Sequence, residues 1–474
     1  MKITKYLFFL FGLLINFANA QIKTSKPNIV LIFADDLGYM DVGFNGNKQF
    51  ETPNLDALSK KGMVFSNAYA GAGNCAPSRA CLLSGKYTPR HGIYAVGSTT
   101  RGPKNKMKVV PVPNKMELNT NFLTLAEALK NQGYATGLFG KWHLGSKNGT
   151  SPGAQGFDVY FDSRKENPNK KREERSDPKG IFSLTEAACN FITSNKDKPF
   201  FTFLSHHAIH SSLEARPESI EKFKKKGFDD KMAIYAACTF DLDASIALIL
   251  EHLKKTGLDK NTMIIFTSDN GATQQSIQEP LRGNKGAYYE GGIREPFIAY
   301  FPEKIKPATN STPIINLDLY PTFLNLAGGK NDKSLDGENL LPLFWGQQNK
   351  TKREAIFWHF PGYLDVPVIR GRDVDFRTRP VSVMRKGNWK IHLYHEEWIL
   401  GGENLKKIPI EAIELYNLKD DEGERVNLAK SNPRKKEELQ NELLKWLKTN
   451  KVPLPKPLKS VNDLNDSDGS EIEN

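Results

Sequence analysis

Short apolar runs recur through the first three quarters of the chain, separated by longer stretches in which apolar and polar residues mix. Nearly every position of these runs is apolar, which is typical of strands that are buried on both faces of a sheet. They predict strands at 28–34, 63–70, 134–140, 199–205 and 262–268.

The stretches between these runs place apolar residues three or four positions apart, a spacing that predicts amphipathic helices. Pro53 begins the first of them, at a position where a helix tolerates proline. Because strands and helices alternate, we expect an α/β fold in which helices cover a central, mostly parallel sheet. The predicted helices cover 53–61, 122–131, 184–194, 231–254 and 317–326.

The pattern changes after about residue 350. Aromatic and charged residues alternate over 380–394, which predicts antiparallel strands, and 434–448 has the pattern of one terminal helix. We therefore predict a large α/β domain over 21–350 and a smaller C-terminal α+β subdomain over 351–452. The tail over 453–474, first rich in Pro and then in Asp and Ser, is expected to be disordered.

The first 20 residues have the three parts of a cleavable secretory signal peptide. Lys2 and Lys5 precede an apolar run over 7–17, and Ala-Asn-Ala follows at 18–20. A membrane anchor is the alternative, but the run is well short of the roughly 20 apolar residues that span a bilayer. The pattern predicts export to the periplasm or the exterior, with no membrane span in the mature chain.

The composition is 39% hydrophobic and 25% charged over 474 residues, which excludes a fibrous or wholly disordered protein. A formal net charge of +12 favours an anionic partner, such as a nucleic acid, an acidic polysaccharide or an anionic surface. No nucleic-acid recognition motif accompanies this charge, so nucleic acid is not the expected partner.

Four cysteines in a chain of this size are too few for a disulfide scaffold, and their spacing lacks the pairs of a zinc site. Cys75, Cys81, Cys189 and Cys238 are therefore interpreted as small buried residues. A single bridge between Cys189 and Cys238, which both lie in apolar helical segments, is the open alternative.

Carboxylates follow two of the predicted strands. Asp35 and Asp36 come directly after 28–34, and Asp269 and Asn270 follow 262–268. Ligands of α/β sheets gather at the carboxyl ends of the strands, and oxygen ligands of this kind suit Ca²⁺ or Mg²⁺. Taken alone, an Asp after a strand is more often a turn or a helix cap, so other motifs must decide.

The segment 74–85 carries the most specific motif of the chain. Cys75 is followed by Pro77, Ser78 and Arg79, and then by Leu-Leu-Ser-Gly at 82–85. This order resembles the signature of the formylglycine-dependent sulfatases, the arylsulfatase-like type I family. The resemblance extends over roughly residues 27–450 and implies an alkaline-phosphatase-like α/β fold and hydrolysis of sulfate esters.

By this resemblance, a formylglycine-generating maturation enzyme oxidises Cys75 to Cα-formylglycine, also called 3-oxoalanine. One oxygen of the hydrated aldehyde attacks sulfur, and the second expels sulfate as the aldehyde forms again, which serves both halves of covalent catalysis. Arg79 lies four residues on, about one helical turn away, and would hold the diol or neutralise its charge.

Two further segments are similar to elements of the same family. Gly-Lys-Trp-His-Leu-Gly at 140–145 implies that Lys141 binds a sulfate oxygen and that His143 orients or deprotonates the diol. The segment 284–296 implies that Lys285 also contacts the sulfate.

Three histidines follow the predicted strand 199–205, where the family carries a histidine that protonates the leaving alcohol. His210 is the expected general acid by its position, and His207 is an expected substrate contact. His206 and His207 stay open as alternatives for the general acid, because Ser211 and the next residue replace the proline that commonly follows in the family. For the metal, the resemblance implies Ca²⁺ ligands at Asp35, Asp36, Asp269 and Asn270.

Export and a basic chain favour a sulfated polysaccharide or its oligosaccharides as the substrate, because a polyanion is attracted at long range. Algal galactans, ulvans, fucans and glycosaminoglycans all stay open as substrates. The composition and the signal peptide suggest a bacterium that degrades such polysaccharides. Basic residues that could contact neighbouring sugars are Arg90, Arg101, Lys104, Arg370, Arg372, Arg377 and Arg379. Aromatic residues that could stack on a sugar ring are Tyr94, Trp345, Trp358 and His359.

Two other functions stay open at this point. A phosphomonoester or phosphonate hydrolase could use the same fold, although Lys141, His143 and Lys285 stand where a two-zinc phosphatase would need more ligands. A glycan-binding homologue without catalysis is the other, but each position expected to act carries a competent residue.

Overall fold

The computed structural model describes residues 26–147, 149–163, 176–330, 332–401 and 408–464. The expected signal peptide over 1–20 and the end of the tail lie outside these residues. The strands are β1 (Asn28–Ala34), β2 (Met63–Phe65), β3 (Ala68–Tyr69), β4 (Val109–Val110), β5 (Ala135–Gly140), β6 (Val159–Phe161), β7 (Phe200–Ser205), β8 (Thr262–Ser268), β9 (Arg294–Glu295), β10 (Ile298–Tyr300), β11 (Ala308–Asn310), β12 (Ile314–Ile315), β13 (Ala355–Phe360), β14 (Val381–Lys386), β15 (Trp389–Tyr394), β16 (Ile413–Asn417) and β17 (Lys456–Pro457).

Helices alternate with these strands through the larger part of the chain, as the sequence predicted. The helices are α1 (Pro53–Ser59), α2 (Cys75–Ser84), α3 (Thr88–His91), α4 (Leu125–Lys130), α5 (Ile181–Ser194), α6 (Pro217–Lys225), α7 (Asp230–Lys255), α8 (Glu290–Ile293), α9 (Leu319–Leu326), α10 (Leu341–Phe344), α11 (His395–Gly401) and α12 (Pro433–Thr449).

An eight-stranded sheet forms the centre of the molecule, in the order β11-β2-β10-β8-β1-β7-β5-β6. All of its neighbouring strands run parallel except where β10 pairs with β8 and with β2. Every residue of β1 is buried, because its alternate side chains enter two apolar cores. Ile29, Leu31 and Phe33 pack into one core, and Val30 and Ile32 into the other. The expected mostly parallel α/β fold is confirmed.

A separate four-stranded antiparallel sheet, in the order β13-β14-β15-β16, follows in the C-terminal part of the chain. The helix α12 packs on its strands β14 and β15 through a row of leucines, of which Leu439 and Leu443 are fully buried. The expected small antiparallel sheet and terminal helix are therefore confirmed.

Two predictions about local structure were wrong. The run 63–70 is not one strand, because a turn at Ser66 and Asn67 moves the chain from the central sheet into a three-stranded sheet with β9 and β12. The tail is also ordered as far as Leu464, since β17 pairs with β4 and Leu464 is buried.

The four cysteines are all buried and free, so the alternative of a bridge between Cys189 and Cys238 is wrong. By length and composition alone, α7 is the one helix of the described part that could cross a bilayer. Two thirds of its apolar window is buried inside the protein, as in a core helix.

A buried ionic network joins the C-terminal sheet to α8. Lys390 of β15 is fully buried, and its Nζ lies 2.9 Å from Glu290 Oε1 and 3.0 Å from Glu424 Oε1. Tyr69 donates a 2.7 Å hydrogen bond to the second oxygen of Glu290. Burial raises the pKa of both glutamates, although Lys390 attracts their charges. The C-terminal sheet is thus joined to α8 by a buried lysine that lies between two glutamates, with two arginines at 3.9 Å from Glu290.

We expect Lys390→Met to lower the free energy of unfolding by about 3–5 kcal/mol, because it removes the one cation that lies within 3.0 Å of both buried glutamates. The loss should be smaller at pH 5 than at pH 8, since the folded state can then neutralise the glutamates by taking up protons. Denaturant unfolding at both pH values measures this. Lys386→Met, which removes the solvent-accessible ion pairs of Lys386 with Glu354 and Glu442, should cost less than about 1 kcal/mol. Equal losses in the two variants would contradict the prediction.

Candidate active site

The carboxyl ends of four adjacent parallel strands form the floor of the candidate site. Asp35 follows β1, and Asp269 follows β8 and donates its backbone N–H to Ala34 O at 3.1 Å. Lys141 follows β5 and donates its backbone N–H to Ser205 O, at the end of β7, at 2.8 Å. These backbone bonds fix the loops to one another at the edge where ligands of such sheets bind.

Gly140, the last residue of β5, permits this close approach. Its φ of +109° belongs to the left-handed region, and a Cβ there would lie 1.9 Å from Ser205 O. Two residues with side chains at the site, Asp36 and His143, also have positive φ angles of 67° and 66°. Such backbone is uncommon outside glycine and is often found at functional sites.

Cys75 is the first residue of α2 and is 1% exposed. Its Sγ and one carboxylate oxygen each of Asp35 and Asp269 all lie within 4.8 Å of one another. The helix therefore starts at the carboxylate cluster, and its positively polarised N-terminus points the first residue into the site.

Arg79 lies beneath this cluster and is fully buried. Its Nη2 lies 2.8 Å from Asp269 Oδ2, and its Nη1 donates to Lys141 O at 3.0 Å and to Ser205 Oγ. The sequence predicts that Arg79 holds the diol or neutralises its charge. Its hydrogen bonds go to the loops that surround Cys75, and its charge interacts with Cys75, so neutralisation of charge stays a prediction. Its position is that of a residue that orients Asp269 and Lys141.

Two lysines extend into the site with their charges already matched. Lys141 Nζ lies 2.6 Å from Asp35 Oδ2, and Lys285 Nζ lies 2.6 Å from Asp36 Oδ1. Burial opposes both ammonium charges, but the attraction of the aspartates raises the pKa of each lysine above its usual value. Burial likewise opposes the charge of Asp35, yet Lys141, Arg79 and Lys285 hold its pKa well below the usual range.

Three buried oxygens of the cluster have no hydrogen-bond partner among the described residues: Asp35 Oδ1, Asp36 Oδ2 and Asn270 Oδ1. Asn270 directs its other amide atom, Nδ2, to Asp36 Oδ1 at 2.8 Å. Burial and the nearby Asp35 carboxylate raise the pKa of Asp269 well above its usual value, in spite of Arg79. Buried acceptors without donors are rare and costly, and a hard divalent cation would satisfy this set of oxygens. The residues present fit a calcium ion.

His143 and His210 both line the cleft above Cys75. Burial and then the charges of Lys141 and Arg79 lower the pKa of His143 to about 3, so its imidazole is neutral. His210 donates from Nδ1 to Ser211 O at 2.6 Å, which leaves Nε2, 3.8 Å from Asp36 Oδ2, on the side of the site.

The other two candidate histidines lie elsewhere. His207 is buried, and its Nε2 lies 2.8 Å from Asp162 Oδ1, outside the residues that line the cleft. The expectation that His207 contacts substrate is therefore not supported by its position. His206 is fully buried, and burial lowers its pKa to about 3. Of the three histidines, His210 alone lines the cleft.

The cleft itself has a volume of about 320 Å³ and contains several residues that the sequence did not single out. Asn74 could have been noticed as the neighbour of Cys75, but nothing in the sequence marked the others. Residues of this kind on its wall are Asn74, Val96, Thr273, Gln274 and Gln275.

The aromatic candidates for sugar stacking are mostly internal. Tyr94, Trp358 and His359 are each 1% exposed and belong to the protein core, where His359 is bonded to Ser382 Oγ and Pro453 O. Trp345 packs against Phe301 beside the larger core. The expected stacking role of the three core residues is therefore wrong.

Comparison with known proteins identifies the family. Residues 27–329 match the profile of the Sulfatase family, and residues 284–398 match the profile described as N-sulphoglucosamine sulphohydrolase, C-terminal. The chain is 32% identical to a sulfatase of Formosa agariphila over 94% of each chain. It is 30% identical to human arylsulfatase A, with 88% of this chain and 86% of that protein covered.

Solved structures have the same fold. The chain superposes on Ps i-CgsB, crystallised in complex with k-i-k-neocarrahexaose, with a TM-score of 0.72 and 29% identity over 94% of this chain and 98% of the other. The phosphonate monoester hydrolase of Agrobacterium radiobacter shares the fold at 19% identity and a TM-score of 0.66, over 90% and 96% of the two chains. With the family profile over 27–329 and the relatives along nearly the whole chain, this protein belongs to the sulfatase family and is a sulfuric ester hydrolase.

Proposed function

We propose that this enzyme removes sulfate from a sulfated carbohydrate, with residue 75 present as formylglycine and with a Ca²⁺ ion held by Asp35, Asp36, Asp269 and Asn270. The observation that carries the proposal is the position of Cys75 Sγ within 4.8 Å of two carboxylates, at the floor of a cleft with cationic walls. If residue 75 were distant from these aspartates, the formylglycine and the calcium ion could not act on the same sulfate group.

A carbohydrate substrate is supported by the relatives and by the charge of the chain. One solved neighbour was crystallised with k-i-k-neocarrahexaose, and a relative of 30% identity is named N-acetylgalactosamine-6-sulfatase, from Mus musculus. A net charge of +12 favours a polyanionic glycan over a small aryl sulfate, because long-range attraction raises its local concentration. The secretory pattern at 1–20 supports the further proposal that the enzyme is exported to the periplasm or the exterior, where such polymers occur.

Each part of the site has a task in sulfuryl transfer. When bound, calcium polarises a sulfate oxygen and stabilises the charge that builds on it. The hydrated formylglycine supplies the nucleophilic oxygen and the oxygen through which sulfate is later released. Lys141 and Lys285 keep their charges and bind sulfate oxygens, which stabilises the transferring group most where its charge is largest. Arg79 holds Asp269 and the Lys141 loop in place from below.

Two histidines provide for the protons. His143 is neutral because of its low pKa, so it can accept a proton from the attacking hydroxyl group. His210 keeps its ring fixed by donating from Nδ1 and turns Nε2 to the cleft, so it can give a proton to the leaving alcohol only from the imidazolium form, in which both ring nitrogens carry protons. Burial lowers the pKa of His210, against the attraction of Asp35 and Asp36. Two histidines that line the same cleft can therefore serve the two proton transfers of ester cleavage, one as the base and one as the acid.

Release of inorganic sulfate from a panel of defined oligosaccharides tests the proposal. Mass spectrometry first confirms the aldehyde at residue 75, and ion chromatography then measures sulfate from galactan, ulvan, fucan and glycosaminoglycan fragments. We expect at least one fragment to release sulfate, and 4-nitrophenyl phosphate to remain intact. Hydrolysis of the phosphate ester with no sulfate release from any fragment would instead assign a phosphomonoesterase. Binding of fragments without release, by protein that carries the aldehyde, would indicate an inactive glycan-binding homologue.

A further inference from the structure

The seven basic residues that the sequence offered for sugar contacts differ in what surrounds them. Arg90 is paired with Asp336, and Arg370 with Glu279. Arg372 and Arg379 are each paired with two or more carboxylates as well. Of these seven residues, only Arg101 and Arg377 line the cleft that contains Cys75.

Arg377 has no carboxylate within ion-pairing distance in the part of the chain that the structure describes. Its guanidinium instead donates to two backbone oxygens, Val366 O at 3.2 Å and Lys285 O at 3.3 Å. A Cβ at Gly286 would lie 2.3 Å from Arg377 Cδ, so the side chain crosses the backbone directly after Lys285. The charge of Arg377 is thus held beside a lysine of the sulfate site without a direct ion pair to a carboxylate of the described residues.

Arg101 lines the same cleft. It is paired with Asp365 at 2.5 Å, but its side chain is still 38% exposed. Backbone bonds place both arginines on one segment, because Arg101 N–H donates to Tyr363 O and Arg377 N–H donates to Leu364 O. Burial and the repulsion of Arg101 lower the pKa of Arg377. Among the described residues only the guanidinium of Arg101 is ion-paired with a carboxylate, while Asp365 and Asp36 attract Arg377 from a longer distance.

The inner part of the site has no such excess. Three cations, Arg79, Lys141 and Lys285, are each matched there by one aspartate. The part of the cleft wall that carries Arg101 and Arg377 differs, because among the described residues only one carboxylate, Asp365, is ion-paired there although two cations are present. Guanidinium groups bind sulfate and carboxylate oxygens in a fork geometry, so this wall fits a planar or tetrahedral oxyanion.

We propose that Arg101 and Arg377 form a second anion subsite, which binds a further sulfate or carboxylate group on the substrate. The inference rests on the proposed function and restricts it: the preferred substrate carries at least two anionic groups, on one sugar or on adjacent sugars. A cleft of about 320 Å³ is small for a ligand pocket, so the two groups must lie close together.

The test compares Arg377→Gln and Arg101→Gln with a matched control, Arg90→Gln, whose arginine is paired outside the cleft. The measured quantity is selectivity: the inhibition constant of inorganic sulfate divided by the KM of the best multiply charged fragment from the panel. We expect this ratio to fall about tenfold in each cleft variant, since one charge-assisted contact is lost, and to stay constant in the control. An unchanged ratio in both cleft variants, or an equal fall in Arg90→Gln, would overturn the subsite.

Two arms identify the second anion and separate the two proposals. Methyl esterification of a uronate should remove the selectivity if the bound group is a carboxylate, and loss of the second sulfate should remove it if the group is a sulfate.

If the wild type releases no sulfate at all, the proposed function fails. Calorimetric titration of the same fragments into Cys75→Ala protein, with and without Arg377→Gln, then still decides the subsite. Equal affinities would overturn it.

Discussion

Replacing Cys75 by alanine is expected to reduce sulfate release by at least about 10⁴-fold, as for removal of the nucleophile of other enzymes. The thiol is the one group at the floor of the cleft that can become the aldehyde, and no other described cysteine lines the cleft. The fold should persist, with the free energy of unfolding within about 1 kcal/mol of the wild type, because one small buried group is removed. Ion chromatography of released sulfate and denaturant unfolding measure both effects.

The matched control is Cys189→Ala, which removes a buried thiol of α5 that lies outside the cleft. It should retain full activity at a similar small cost in stability. Cys75→Ser should be as inactive as Cys75→Ala, unless the host matures a serine at this position. A retained rate in Cys75→Ala would show that the chemistry does not depend on residue 75.

The parts of this structure that the sequence predicted best are those governed by local pattern. The strands β1 and β8 begin and end at the predicted residues, because continuous apolar runs have one favourable place in a two-sided sheet. The residues after these strands then had to meet at one edge, and Asp36 and Asn270 do so through a 2.8 Å bond. The sequence motifs and the sheet topology therefore both place these residues at the same edge of the sheet.

The errors concern side-chain direction, which depends on contacts far apart in the sequence. Three histidines within five residues follow β7, and the course of the backbone after Ser205 turns His210 to the cleft and His207 to Asp162. Arg79 is on the expected helix, but Asp269 and Ser205, distant in the chain, determine what its guanidinium contacts. The sequence offered Trp358 as a residue that could stack on a sugar ring, yet it is buried against Tyr69. The pattern of residues along a sequence does not show which distant residues a side chain will contact.

Replacing Asp269 by asparagine is the second substitution with a large expected effect. Asp269 is fully buried, and its two oxygens accept from Arg79 and from the backbone N–H of Asp36, at 3.1 Å. Asparagine would turn an N–H toward one of these donors and remove the charge that Arg79 and the cation share. We expect calcium to fall from about one per chain to about a tenth, and kcat/KM to fall at least about 10²-fold.

A buried aspartate outside the cleft provides the control for this substitution. Asp243 accepts from the backbone N–H groups of Asn54 and Leu55 at the start of α1, so Asp243→Asn should lower the Tm but leave the calcium content unchanged. Elemental analysis by mass spectrometry, thermal unfolding and sulfate release compare the two variants. The three orphan oxygens predict that calcium raises the Tm of the wild type and of Asp243→Asn, but not that of Asp269→Asn. Full calcium content in Asp269→Asn would contradict the assignment of this residue as a calcium ligand.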